Sequence, residues 1–260
     1  MDLNLKNKVI IVTGGSKGIG LGIVESLIRE KAIPVIITRN KPSVDEVLVS
    51  FKKRGLDIFY ALAELTDPRQ CENAIKEIID KFGKIDGLVN NAGVNDSVGL
   101  ETGDYEGFMR SLKRNLVHYY LMAHYAIPEL KKSKGAIVNI GSKTADTGQG
   151  GTSGYAASNG GRNALTREWA VELLSYGIRV NALIVAECYT PLYEKWISSF
   201  PNKEEKLASI TKNIPLEKRM TTVEEIGDMV AFLLSDKSSH TTGQLIYVDG
   251  GYTHLDRAIK

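Results

Sequence analysis

Thr13-Gly14-Gly15-Ser16-Lys17-Gly18-Ile19-Gly20 stands between a short apolar run, residues 9–13, and a segment, residues 19–29, whose apolar side chains recur at helical spacing: Ile19, Ile23 and Leu27, with Val24 and Ile28 beside them. A glycine-rich stretch by itself carries little weight. Between a strand and a helix it has the context in which glycines cradle a phosphate. Gly14 lets the chain turn, Gly18 lets backbone approach a pyrophosphate, and Gly20 lets the helix lie close on the strand. The helix N-terminus then offers free N–H groups and positive partial charge to the anion. A plain turn between two elements is the competing account.

The same alternation continues along the 260 residues. Further short apolar runs fall at residues 35–38, 58–62, 85–90, 136–140, 178–184 and 244–248. Helical spacing marks 43–54, a segment opened by Asp67-Pro68 and running to Phe82, and 222–234. Two helices fit 105–130, a long one runs from Tyr155 to about Leu174, and 191–212 reads as a helical insertion. Seven buried runs joined by helices predict a parallel sheet with helices on both faces and right-handed crossovers. Ligands are then expected at the carboxyl ends of the strands. No repeat, low-complexity tract or linker divides the chain, so residues 1–260 read as one domain.

Hydrophobic residues make up 43% of the chain and charged residues 25%, as in ordinary globular proteins. A net charge of +2, with both signs scattered, gives no reason to expect a nucleic-acid or membrane partner. No apolar run approaches the ~20 residues of a membrane span, and residues 1–8 lack the core of a signal peptide. Cys71 and Cys188 match no metal or redox spacing, and His118, His124, His240 and His254 are scattered, so no metal site is expected. A cytoplasmic location is the expectation.

The glycine spacing is G-x-x-x-G-x-G, and here the chain resembles the short-chain dehydrogenase/reductase family. The resemblance extends over nearly the whole chain: Asn90-Asn91-Ala92-Gly93, Val180-Asn181-Ala182, Thr190-Pro191 and Asp249-Gly250-Gly251 match landmarks of the family, and Asn115, Ser142 and Tyr155 match its catalytic positions. It implies an α/β fold, a Rossmann-type doubly wound sheet of seven parallel strands with helices on both faces. It also implies a nicotinamide cofactor held by Gly14, Ser16, Lys17, Gly18, Ile19, Gly20, Glu64, Leu65, Asn91, Ala92, Gly93, Tyr155, residue 159, Val185 and Thr190. Glu64 fits the family's acidic contact to adenine. Thr38 stands where an NAD-type acid would be, and Arg39 follows it, which with Lys17 favours the 2′-phosphate of NADP(H); NAD(H) is the alternative. The family is typically tetrameric, pairing through the helices at 105–130 and 155–174.

In the family, Tyr acts as general base, Ser orients the substrate oxygen and Asn helps carry a proton relay, roles that fall on Tyr155, Ser142 and Asn115. The family's Lys, four residues after the Tyr, supports the phenolate by its charge. Here Asn159 occupies that position. A phenolate harder to form by ~2 pH units costs about 2.7 kcal/mol, roughly a hundredfold in rate. Two cations lie nearby, Lys143 and the better-placed Arg162, but each is expected at the surface, as most such residues are. Three readings are left open: a Lys-to-Asn variant of an active enzyme, engineered or accidental; a natural enzyme in which another cation substitutes; and a nucleotide-binding protein without turnover.

In the stretch Asn181 to Pro191, Val185-Ala186 replaces the family's usual Pro-Gly, and Glu187 falls near the substrate side. With Lys143, Gln149 and Tyr189, alongside Ser142 and Tyr155, it predicts a pocket for a hydroxyl-rich substrate, a sugar or polyol. This stretch and the tail from His254 to Ala258 resemble the bacterial sugar-dehydrogenase branch, especially L-fucose dehydrogenase-like members. Residues 190–215 resemble the family's helical substrate lid, with Leu192, Tyr193, Trp196, Ile197 and Phe200 as packing.

Overall fold

In the computed structural model, which describes residues 1–256, all seven apolar runs become strands of one sheet. The strands are β1 (Val9–Thr13), β2 (Ile33–Thr38), β3 (Phe59–Leu62), β4 (Gly87–Asn90), β5 (Ala136–Ser142), β6 (Arg179–Val185) and β7 (Leu245–Val248). Their order is β3-β2-β1-β4-β5-β6-β7 and every pairing is parallel. Crossovers run one way from β1 to β3 and the other way from β4 to β7, so the carboxyl ends of β1 and β4 flank the switch point where a crevice opens.

Alternation along β1 explains the two-sided core. Ile10 and Val12 join one apolar cluster with α1 (Gly18–Arg29), α2 (Lys41–Lys53) and α10 (Val223–Leu234). Val9 and Ile11 join the other, with α3 (Pro68–Phe82), α5 (His118–Ser133) and α7 (Ser153–Glu172). The fold is therefore the doubly wound Rossmann-type sheet that the pattern predicts. Asp67 and Thr222 cap α3 and α10; Thr222 and Glu225 form a reciprocal capping box.

Two segments are as expected in kind, with detail that the pattern did not give. The span 105–130 holds α4 (Tyr105–Leu112) and α5 joined by a π-helical turn, Lys113–Val117. The insertion at 191–212 is two short helices, α8 (Pro191–Ile197) and α9 (Lys203–Thr211). Pro201 lies between them and cannot continue a helix. The remaining helix, α6 (Thr144–Thr147), is a single turn after β5. Among the described residues no helix is long and apolar enough to cross a membrane, and no group of three or more His, Cys, Asp or Glu is placed to hold a metal. Arg257 and Ala258, the end of the sugar-dehydrogenase-like tail, lie outside the described residues.

Candidate active site

The cradle is built where β1 and β4 end. Thr13 Oγ1 accepts hydrogen bonds from the backbone N–H groups of Asn91 (2.9 Å) and Ala92 (3.1 Å), and Asn91 Nδ2 donates to the Thr13 carbonyl (2.8 Å). Gly14 turns with φ +67°, a conformation that side chains resist. A Cβ on Gly20 would run into the Gly14 carbonyl and come within 2.7 Å of Asn91 Nδ2. Glycine there is a condition for the helix start to sit on the strand end, as the spacing predicts. Lys17 caps α1 in extended conformation and is exposed. Ser16 is buried, its hydroxyl bonded to Ser43 (2.8 Å) and close to Thr38 Oγ1 (3.4 Å), which ties the cradle to the end of β2.

Arg39 and Glu64, predicted to serve the two ends of an adenosine, meet each other: Arg39 Nη1 donates to Glu64 Oε2 at 2.6 Å. Burial alone would raise the Glu64 carboxyl, but Arg39 and Thr66 together hold it below its ordinary value. The Leu65 side chain packs into the core, leaving its backbone as the part that can face a ligand. Thr190 caps α8 and lies over the cradle, its Cβ 3.4 Å from where a Gly18 Cβ would stand. Val185 ends β6 and accepts a hydrogen bond from the Lys143 amide (3.0 Å).

At the neighbouring strand ends the predicted catalytic residues gather. Ser142 ends β5, with its Oγ 3.1 Å from Thr144 Oγ1. Asn115 sits in the π-helical turn, fully buried; Oδ1 accepts from the Val94 amide (2.8 Å) and Nδ2 donates to the Ser111 carbonyl (3.1 Å). Tyr155 is in the first turn of α7, and one turn on Asn159 donates through Nδ2 to the Tyr155 carbonyl (2.9 Å). A buried ladder, Asn90 to Asn139 (3.1 Å) to Thr166 (3.0 Å), fixes β4, β5 and α7 beneath them.

Both nearby cations depart from the surface expectation. Arg162 is 3% exposed and bonds to the carbonyls of Asn115 (2.6 Å) and Ile140 (3.1 Å) and to Asn159 Oδ1 (2.9 Å). Lys143 is 9% exposed, paired with Glu187 and placed 3.8 Å from the centre of the Tyr252 ring. Lys143 and Gln149 line a cleft of about 580 Å³ with Thr147, Gly148, Tyr252, Thr253, Leu255 and Asp256. Glu187 reaches it only through Lys143. Tyr189 is not among the residues lining the cleft; its ring packs toward Tyr193, centroids 6.0 Å apart. In α8 and beyond, Tyr193, Trp196 and Phe200 pack edge to face in sequence, each step 5.1 Å, as packing residues do.

Tyr252 and Thr253 were not among the predicted pocket residues. Asp249 accepts the amides of Gly251 and Thr253 (2.8 Å each), making the turn that carries these residues to the cleft. The Asp-Gly-Gly directly after the last strand was the available signal. His118, also missed, is buried behind Asn115 and bonds through Nε2 to the Arg114 carbonyl (2.9 Å). Burial, then the Arg162 charge, pushes it down to about 3, so it is neutral.

The protein family described as Enoyl-(Acyl carrier protein) reductase matches residues 14–253. L-fucose dehydrogenase of Bos taurus is 32% identical over 253 residues, covering 96% of this chain and 91% of the relative. The 3-oxoacyl-(acyl-carrier-protein) reductase FabG of Thermotoga maritima is 32% identical over 250 residues, covering 96% and 99%. Among solved structures, that of Cj0485 dehydrogenase superposes with a TM-score of 0.94 at 45% identity, covering 100% of this chain and 99% of that one.

Proposed function

The chain belongs to the short-chain dehydrogenase/reductase family, and we propose that it is an NADP(H)-preferring oxidoreductase acting on a hydroxyl of a sugar or polyol, L-fucose being the first candidate. The observation that supports the substrate reading is the cleft just past the end of β5, where Lys143, Thr147, Gln149, Thr253 and Asp256 set polar groups beside the apolar faces of Tyr252 and Leu255. A fatty acyl chain would strip water from these groups without bonding them. Sugar hydroxyls would replace that water. Similarity to L-fucose dehydrogenase supports this reading, and similarity to FabG supplies the acyl alternative to test.

The residues at the switch point fit a dinucleotide. The Gly14–Gly20 turn, closed to any Cβ at Gly20, would hold the pyrophosphate with Ser16, Lys17, Gly18 and Ile19; Arg39 and Glu64 would face the adenosine; Asn91, Ala92, Gly93, Val185 and Thr190 would line the nicotinamide side. When bound, the nicotinamide accepts or supplies the hydride. Tyr155 takes the proton of the substrate hydroxyl in oxidation and returns it in reduction, and Ser142 holds the oxygen by hydrogen bonding. Asn115, locked by Ser111 and Val94, fixes the turn behind them. Asn159, expected to touch the cofactor, is fully buried, with its amide spent on the Tyr155 carbonyl and on Arg162, so it holds this turn of α7 rather than a ribose hydroxyl.

Residues 1–260 are read as one domain, with 190–215 as a lid hinged where Thr190 meets the cradle. The exposed side chains of Tyr105, Val117 and Tyr120, with Val171 on α7, support a homotetramer built through these helices. Two buried free thiols suit a reducing cytoplasm. The test is reduction of NADP⁺ and NAD⁺ with a panel of aldoses including L-fucose, beside reduction of a 3-oxoacyl thioester. Sugar-dependent reduction favouring NADP⁺ is expected; turnover of the thioester alone overturns the substrate. Nucleotide binding without any turnover supports the second reading, a binding protein, which the uncharged Asn159 favours.

A further inference from the structure

Arg162 is a buried cation whose hydrogen-bond partners are all neutral. Nε and Nη1 are taken by the carbonyls of Asn115 and Ile140 and by Asn159 Oδ1, while Nη2 is buried without a hydrogen-bond partner. A Cβ on Gly93 would come within 3.1 Å of Nη2, so the glycine makes room for the guanidinium at the mouth of the cradle. The guanidinium carbon is 4.3 Å from the Tyr119 ring centre and 6.0 Å from that of Tyr155. Tyr155, Asn159 and Arg162 fall at i, i+4 and i+7 on α7, one face of the helix.

Burying a guanidinium among neutral groups costs stability unless an anion shares the site. Among the described residues no carboxylate forms an ion pair with Arg162; the acids that reach the edge of the cluster are Asp96, which accepts from Ser111 Oγ (2.7 Å), and Glu64, whose charge is felt at His118. On α5, His118 is neutral because burial and Arg162 push its imidazole down to about 3, and burial pushes the Tyr119 phenol up to about 12. From β5 comes the Ile140 carbonyl, from the π-helical turn the Asn115 carbonyl, and from the loop after β4 Gly93, beside Nη2. The reading of Tyr155 as general base gives this cluster a transient anion, the phenolate.

We propose that Arg162 is a positioning residue for that phenolate: its fixed charge, on the buried face of α7, favours ionised Tyr155, and its hydrogen bond orients Asn159. A guanidinium keeps its proton at every working pH, so Arg162 moves no proton itself. The inference rests on Tyr155 being the base, and the uncharged Asn159 does not leave the site without a cation.

The test uses the full chain without nucleotide or substrate. Tyrosine is labelled with carbon-13 at Cζ, the Tyr155 signal is assigned with Tyr155→Phe, and its ionisation is followed by NMR against pH. In Arg162→Gln, which keeps a hydrogen-bond donor and loses the charge, the Tyr155 titration is expected to move up by about one pH unit. In Arg162→Lys it stays close to that of the unaltered chain, and Asn159→Lys added to Arg162→Gln brings it back down. No movement in Arg162→Gln, or equal movement in the Gln and Lys variants, overturns the proposal. If Arg162→Gln does not fold, Arg162→Met, which fills the same space without the charge, is read for the same upward shift, and its absence overturns the proposal. A titration that responds in a chain that oxidises no sugar sinks the substrate reading alone. Sugar oxidation through Tyr155 with an unresponsive titration sinks only the role of Arg162.

Discussion

Arg39 Nη1 lies 2.6 Å from Glu64 Oε2, so the cation that follows β2 is held by the carboxylate that follows β3. The pair is well exposed, with side chains 60% and 35% accessible, and an exposed pair is worth little. A 2′-phosphate offers Arg39 a doubly charged, bidentate partner and competes well against it.

Fluorescence titration with NADP(H) and NAD(H) checks this. Arg39→Ala is expected to weaken NADP(H) binding about tenfold and to leave NAD(H) within about twofold. Glu64→Gln, which frees Arg39, is expected to tighten NADP(H) by about two- to fivefold. Equal losses for both cofactors in Arg39→Ala would mean that Arg39 does not read the phosphate.

Lys143 and Glu187 form an ion pair whose side chains are only 11% and 14% exposed. Removing one member leaves the other charge buried and unmatched, whereas removing both does not. Lys143→Met is expected to lower unfolding stability by about 3 kcal/mol and to raise KM for the sugar, since Lys143 lines the cleft. Lys143→Met with Glu187→Gln should recover most of the stability and little of the KM. Urea melts and initial rates on the three chains separate the two effects; additive stability losses would mean that the pair is not coupled.

His118 supplies a pH dependence with a definite sign. Its imidazole is held down to about 3 by burial and by Arg162, against about 6.5 in an unfolded chain. The unfolded chain therefore binds the proton more readily, so the contribution of His118 is complete above about pH 6.5 and is lost as pH falls toward 3. The loss approaches about 1.4 kcal/mol per pH unit within that window. His118→Phe cannot titrate, so its stability should fall less than that of the unaltered chain between pH 7.5 and 5.5, in urea melts at each pH. Equal falls would mean that His118 is already protonated or solvated in the native state.

The cradle and the sheet were legible because their signals are local: a β-branched run, a glycine turn and a helical period in unbroken succession. The environment of the cations was not. The chain leaves the strand at Ser142, and Lys143 has helical dihedrals (φ −47°, ψ −25°) as the cap of α6, a turn that the strand pattern does not show. Helical spacing put Arg162 on the face of Tyr155. Its burial depends on acceptors from the π-helical turn, β5 and α7 converging in space, which no single segment records. The π-helical turn itself, five residues between two helices, is too short to disturb a 3.6-residue period. The Arg39–Glu64 contact joins residues 25 apart in the chain and was invisible for the same reason.

The decisive measurement is the initial rate of NADP⁺ reduction with L-fucose and other aldoses, in the unaltered chain and in Tyr155→Phe, with NADP⁺ affinity measured on both. Sugar-dependent reduction by the unaltered chain is expected, with a loss of at least about a hundredfold in Tyr155→Phe and NADP⁺ affinity nearly unchanged. Equal rates in the two chains, or tight nucleotide binding with no sugar oxidised by either, would contradict the proposed function.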